Sequence, residues 1–156
     1  MTEDARFEDG REQSLHLKAL EADDLPVISA LVQDAVFPAS EMTWRARERR
    51  FALLLNRFRW EDGAQARHGP ERVQSVLVID EALKVSSQGI ERGNAGMVLS
   101  LLSLAFEPGE DGTGRVVLTL AGDGDIAVDV EALDVTLKDV TRPYIAPSKS
   151  VPRHPE

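Results

Sequence analysis

The sequence predicts an α+β fold: a single domain of mostly antiparallel, curved β-sheet or partly open barrel, with one helix on its N-terminal side at about residues 24–35. Three observations carry this. Apolar residues recur at helical spacing in one segment alone, residues 23–35. Elsewhere they alternate or form short runs. The runs are separated by short turns, and no second helix is available for the long crossovers that parallel strands need. The 156 residues give one domain room for a core, and with five Phe, two Trp and one Tyr that core must be built mainly from Leu, Val, Ile and Ala.

The elements follow in order. Residues 1–13 read as a disordered acidic tail, with five acids, two arginines and little to bury. "SLHLKAL", residues 14–20, alternates as a short strand and opens the domain, which spans residues 14–140. In "DDLPVISALVQDA" the residues Leu25, Ile28, Leu31, Val32 and Ala35 share a helix face. Asp23 or Asp24 caps it, and Pro26 fits a first turn. "MTWRA" (42–46) and "FALLLNRFRW" (51–60), joined by "RERR", form a hairpin, and "EDGAQARHGP" (61–70) is a loop. "RVQSVLVI" (72–79) is a strand, and "ALKVSSQGI" (82–90) is either another or its continuation past a kink at Asp80–Glu81. "MVLSLLSLAFE" (97–107) is apolar on both faces, so it is central in a sandwich or half of an interface. "RVVLTL" (115–120) precedes the tight turn "AGDGD". In 126–140 the apolar parity slips between Val130 and Leu133, which a bulge near Glu131–Ala132 or two separate strands would explain. Residues 141–156 hold four of the eight prolines and read as an extended or disordered tail.

Composition limits function. A net charge of −9 disfavours nucleic acid and anionic lipid as partners. No cysteine is present, which removes disulfides, thiolate metal sites and cysteine catalysis. The N-terminus lacks the apolar core of a signal peptide, and no run reaches the length of a membrane helix, so the expected setting is the cytoplasm.

Against that acidic background residues 45–59 hold six arginines and one acid, Glu48. Arginine forks suit carboxylates and phosphates. Arg45, Arg47, Arg57 and Arg59, with Trp60, are therefore the candidate ligand-binding residues. The competing reading is that these arginines pair with the chain's own surplus acids, nine of which lie within residues 105–139. "GDGD" has the short carboxylate spacing of a calcium loop but fits a hairpin turn better. His16, His68 and His154 have no metal-ligand spacing. No serine sits in a nucleophile elbow, and neither a dinucleotide fingerprint nor a phosphate loop is present. No catalytic residue, metal or cofactor is therefore expected.

The ordered segments "ALEADDLPVISALVQDAV", "ERRFALLLNRFRWED", "LKVSSQGI", "VLSLLSLAFEP" and "GDIAVDVEALDVTLKDV" resemble a family of small uncharacterised alphaproteobacterial proteins, a domain of unknown function. The resemblance covers roughly residues 14–140 and implies a bacterial cytoplasmic setting, but it assigns no activity or functional residue. At the level of fold, pleckstrin-homology-like domains also combine a curved antiparallel sheet with one helix, although their helix sits at the other end of the chain. The first functional reading is a non-enzymatic binding or assembly module with a protein partner or a second copy of itself. The alternative is a small anionic ligand or substrate held by Arg57 and Arg59, with Asp80 or Glu81 as base. A third reading is RNA binding through the arginines and Trp44, Phe58 and Trp60.

Overall fold

Alternating apolar side chains become the inner faces of two ladders that meet over one core. The computed structural model describes residues 14–60, 71–91 and 96–141, together with the backbone of 144–145. The acidic segment 1–13, the loop 61–70 with His68, and most of the proline-rich segment with His154 lie outside the described residues.

The strands are β1 (His16–Ala19), β2 (Val36–Pro38), β3 (Met42–Arg45), β4 (Arg50–Phe58), β5 (Glu71–Ile79), β6 (Ala82–Gln88), β7 (Val98–Pro108), β8 (Gly114–Leu120), β9 (Asp125–Val130), β10 (Val135–Asp139) and β11 (Tyr144–Ile145). Their order is β1-β10-β5-β4-β2-β7-β8-β9-β6, with β3 on the side of β4 and β11 on β5. Every pairing is antiparallel. The sheet is curved and not closed into a barrel. Short β2 joins its halves, pairing with β4 at Val36↔Asn56 and with β7 over Val36–Pro38. The backbone of Tyr144–Ile145 is extended against Arg72 and Glu71, within the segment expected to be a tail.

The helix, α1, spans Leu25–Leu31 behind a 3₁₀ turn at Ala22–Asp24, and is shorter than the expected 24–35. Asp24 makes the entry: its carboxylate accepts the Glu21 N–H at 3.3 Å. The C-terminal end comes early because β7 captures the chain. Asp34 takes a left-handed φ of 65°, its N–H donates to the Leu101 carbonyl at 2.8 Å, and Leu101 donates back to Ala35 at 2.8 Å. The helical periodicity was nevertheless informative about burial: Leu25, Ile28, Val32 and Ala35 all reach the core, while Leu31 is half-buried. α1 packs on β7, where the Ser29 hydroxyl accepts the Leu104 N–H at 2.9 Å. β7 is thus internal, flanked by β2 and β8 and covered by α1, which accounts for its two apolar faces.

β5 and β6 are separate strands in different ladders, as are β9 and β10. Both crossings lie side by side and form a corner. Asp80 N–H donates to the Asp134 carbonyl and Glu131 N–H to the Glu81 carbonyl, each at 2.9 Å. Glu81 interrupts the extended chain at φ 58°. The parity slip in 126–140 is therefore this corner and not a bulge: Ile126, Val128 and Val130 face the core before it, and Leu133, Val135 and Leu137 after it. "AGDGD" is a hairpin turn, with Gly122 at φ 84° and Asp123 at φ 67° in the left-handed region and Leu120 N–H donating to the Gly124 carbonyl at 2.9 Å.

Candidate functional site

The six arginines of residues 45–59 do not converge. Strand β4 separates them, and seven residues of strand rise place Arg50 and Arg57 roughly 23 Å apart along the chain.

At the far end, Arg57 continues the inner face of Phe51, Leu53 and Leu55 and is fully buried. One step back along that face, at the level of Leu55, its partner strands present polar groups within reach of the guanidinium: Ser75 on β5 and, opposite it, Asp139 on β10, both buried. The Arg57 guanidinium donates from Nη2 to both Asp139 carboxylate oxygens, at 3.0 and 3.1 Å, and from Nε to Ser75 Oγ at 3.0 Å. Ser75 Oγ donates to Asp139 Oδ1 at 2.7 Å, and the Leu15 N–H donates to Oδ2 at 2.9 Å. The cluster therefore ties β1, β10, β5 and β4 across the core. Next to it, buried Arg59 donates to Glu71 at 3.0 Å. The Trp60 indole N–H donates to the Gln33 carbonyl at 2.9 Å, and its ring tilts against Phe58 with centroids 4.7 Å apart.

At the near end the arginines are exposed and brace the corner. Arg49 pairs with Glu131, and Arg50 donates to Asp80 at 2.8 Å. The hydrogen bond and charge of Asp80 raise the Arg50 pKa further above its already high value, so it stays ionised. Lys18 pairs with Asp134 at 3.2 Å, so among the described residues three of the four corner acids, all but Glu81, have a cation. Arg45 meets Glu48 at 3.6 Å across the 3₁₀ turn Ala46–Glu48. Arg47 is exposed and makes no ion pair among the described residues. Of the candidate residues, Arg45 and Arg47 share the β3–β4 hairpin, while Arg57, Arg59 and Trp60 share the other end. Trp44, Phe58 and Trp60 form no common stacking surface, because Phe58 is buried and Trp44 lies at the hairpin end.

Between β3 and β6 the described residues line a cleft. Among the described residues β3 pairs with β4 alone and β6 with β9 alone. The two edges come close at one end, where Ala82 N–H donates to the Arg49 carbonyl at 3.0 Å and the Ala46–Glu48 turn packs on β6. Arg49 makes this possible by closing the hairpin turn in a left-handed conformation, φ 54°. Away from that end the edges part around a cleft of about 330 Å³. Met42, Trp44, Phe51, Val85, Ile90 and Ile126 supply its apolar lining, and Ser40, Ser86, Ser87 and Glu91 its polar groups. Of these, Trp44 had been considered from sequence as a stacking residue, Ile126 as core, and Ser86 and Ser87 only as serines outside a nucleophile elbow. The signal was faint: a strand, "ALKVSSQ", whose consecutive serines leave space that larger side chains would fill.

Residues 15–154 match the family described as "Protein of unknown function (DUF2948)". The chain belongs to that family. No curated protein and no solved structure matches it. DUF2948 membership covers every element described here and assigns no activity to the cleft. Among the described residues no helix is long and apolar enough to cross a membrane.

Proposed function

We propose that the protein is a binding module, not an enzyme, and that it holds its partner in the β3–β6 cleft. One observation carries the reading: two sheet edges that could have paired stand apart around a mostly apolar cleft. Its volume is at the small end of the range for ligand sites, and its lining has their usual make-up, an apolar wall with a few polar groups. Trp44 adds an aromatic anchor that is 37% exposed. A cytoplasmic setting fits a chain without cysteine. The anionic-ligand reading retains Arg45 and Arg47 at the hairpin, since Arg57 and Arg59 are buried against Asp139 and Glu71. The RNA reading draws on the same two arginines and Trp44.

A fragment screen by NMR tests the proposal. Apolar fragments should shift resonances of Met42, Trp44, Val85 and Ile126, and Ser87→Trp should abolish the shifts without unfolding the chain. A screen in which no fragment perturbs these residues would overturn it.

A further inference from the structure

We infer that the cleft receives an extended peptide segment of a partner protein, added as a strand to the free edge of β6, with an acidic residue of that peptide at the β3–β4 hairpin. The inference rests on the cleft being the binding site. It draws on three independent features.

The first is where the cleft lies relative to β6. Successive side chains of a strand point to opposite faces. Val85, Ser86 and Ser87 are consecutive, yet all three line the cleft. A cavity touched by three residues in a row lies along the strand's edge. That is where alternate backbone N–H and C=O groups project when a strand has a neighbour on one side only. Among the described residues β6 pairs with β9 alone, and its other edge is open beyond Ala82, whose N–H donates to the Arg49 carbonyl. A small apolar molecule would fill the volume and leave those groups without a partner. An added strand satisfies them.

The second is the opposite wall. Met42 and Trp44 lie two apart on β3, so they present one face, with Phe51 directly across from Trp44 on β4. A strand seated against β6 would direct every second side chain onto this wall, which is how strand addition combines main-chain affinity with side-chain selectivity.

The third is charge. Where the hairpin turn packs on β6, Arg47 and Lys84 are both exposed and neither makes an ion pair among the described residues. Their neighbours Arg45, Arg49 and Arg50 are matched by Glu48, Glu131 and Asp80. With Glu81 beside Ala82 counted against Arg47 and Lys84, this end of the cleft keeps a surplus of one positive charge, in a chain of net charge −9. It favours an acidic peptide. It also disfavours a second copy docking through β6, because "ALKVSSQ" carries a lysine and no acid.

The test is selection from a display library of random peptides on the immobilised full chain, followed by hydrogen exchange on the complex. Selected peptides should have apolar residues at alternate positions and an Asp or Glu near one end. They should slow exchange of alternate amides in Val85–Gln88. Trp44→Ala should weaken binding at least about tenfold, and Arg47→Glu with Lys84→Glu should turn the selected acid into a base. Apolar fragments that bind while no peptide is enriched would overturn strand addition and leave the cleft as a small-ligand site. The same holds if enriched peptides bind without protecting β6. Protection of β6 that appears on concentrating the protein alone would make a second copy the occupant and also overturn the inference. Failure of fragments and peptides alike would remove both readings.

Discussion

The two ends of β4 carry the same residue type in opposite circumstances. Arg57 is buried on the core face and tied to a buried carboxylate and hydroxyl, whereas Arg50, on the opposite face parity, is half-exposed and pairs with Asp80 at the surface. The difference teaches how one cluster in a sequence can serve two structural purposes. At the far end the fold needed four strands cross-linked where their inner faces run out of apolar side chains. Desolvating a guanidinium and a carboxylate is costly, and a bidentate pair with further hydrogen bonds offsets much of that cost. At the near end the fold needed only to hold a corner of four acids, three of them paired, in water, where each pair contributes little.

The comparison can be broken most sharply at Asp139. Asp139→Ala leaves Arg57 charged and buried without its carboxylate, and should destabilise the fold by about 3–5 kcal/mol, measured by urea unfolding. The double variant Arg57→Met with Asp139→Leu removes both charges, and should recover most of the loss or exceed the wild type. A double variant as unstable as Asp139→Ala would mean that the pair is required for the fold itself and not just for matching one charge with another.

Ser75 gives the next effect. Its hydroxyl accepts from Arg57 and donates to Asp139, so Ser75→Ala deprives two buried charged groups of one hydrogen bond each. The expected loss is about 1–3 kcal/mol. No measurable loss would show that water takes the place of the hydroxyl, and that the far end is wetter than its burial implies.

Arg50→Ala should cost about 0–1 kcal/mol, and the loss should vanish near 1 M salt, where the screening length falls to about 3 Å. The loss caused by Asp139→Ala should persist at the same salt, because solvent ions do not reach a fully buried pair. Equal salt sensitivity at both sites would erase the distinction between the two ends.

Much of this was legible in the sequence, and the parts that were not share a cause. Strand alternation identified Leu53, Leu55, Leu77, Ile79, Leu99, Leu101, Val117 and Ile126 as core, and all are buried except Val117, which is half-buried because Val116 and Leu118 take the inner face of β8. The antiparallel class followed from the missing second helix. The pairing of the arginines with the chain's own acids was anticipated, including an acid from Asp125–Asp139 for Arg57. The helix was overextended because its last apolar residues serve a turn held by β7, and periodicity cannot distinguish the two. The cleft was invisible for a related reason. It arises from strands that fail to pair, 40 residues apart when counted from Thr43 to Leu83, and local patterns do not encode the absence of a long-range contact.

The smallest expected effect on stability is at Arg47, and it separates stability from binding within one hairpin. Arg49 and Arg47 lie two residues apart in a turn, both exposed, but Arg49 pairs with Glu131 and its carbonyl accepts from Ala82. Arg47 makes neither contact. Arg47→Ala should therefore leave unfolding within about 0.5 kcal/mol of the wild type, as for a surface change away from any special feature. Arg49→Ala retains the backbone bond to Ala82 but loses the Glu131 pair and must hold a left-handed conformation, so it should cost measurably more. Urea unfolding of the two variants side by side checks this. If Arg47→Ala proved the more destabilising, its side chain would be part of the structural bracing, and the surplus charge beside the cleft would disappear from the case for an acidic partner.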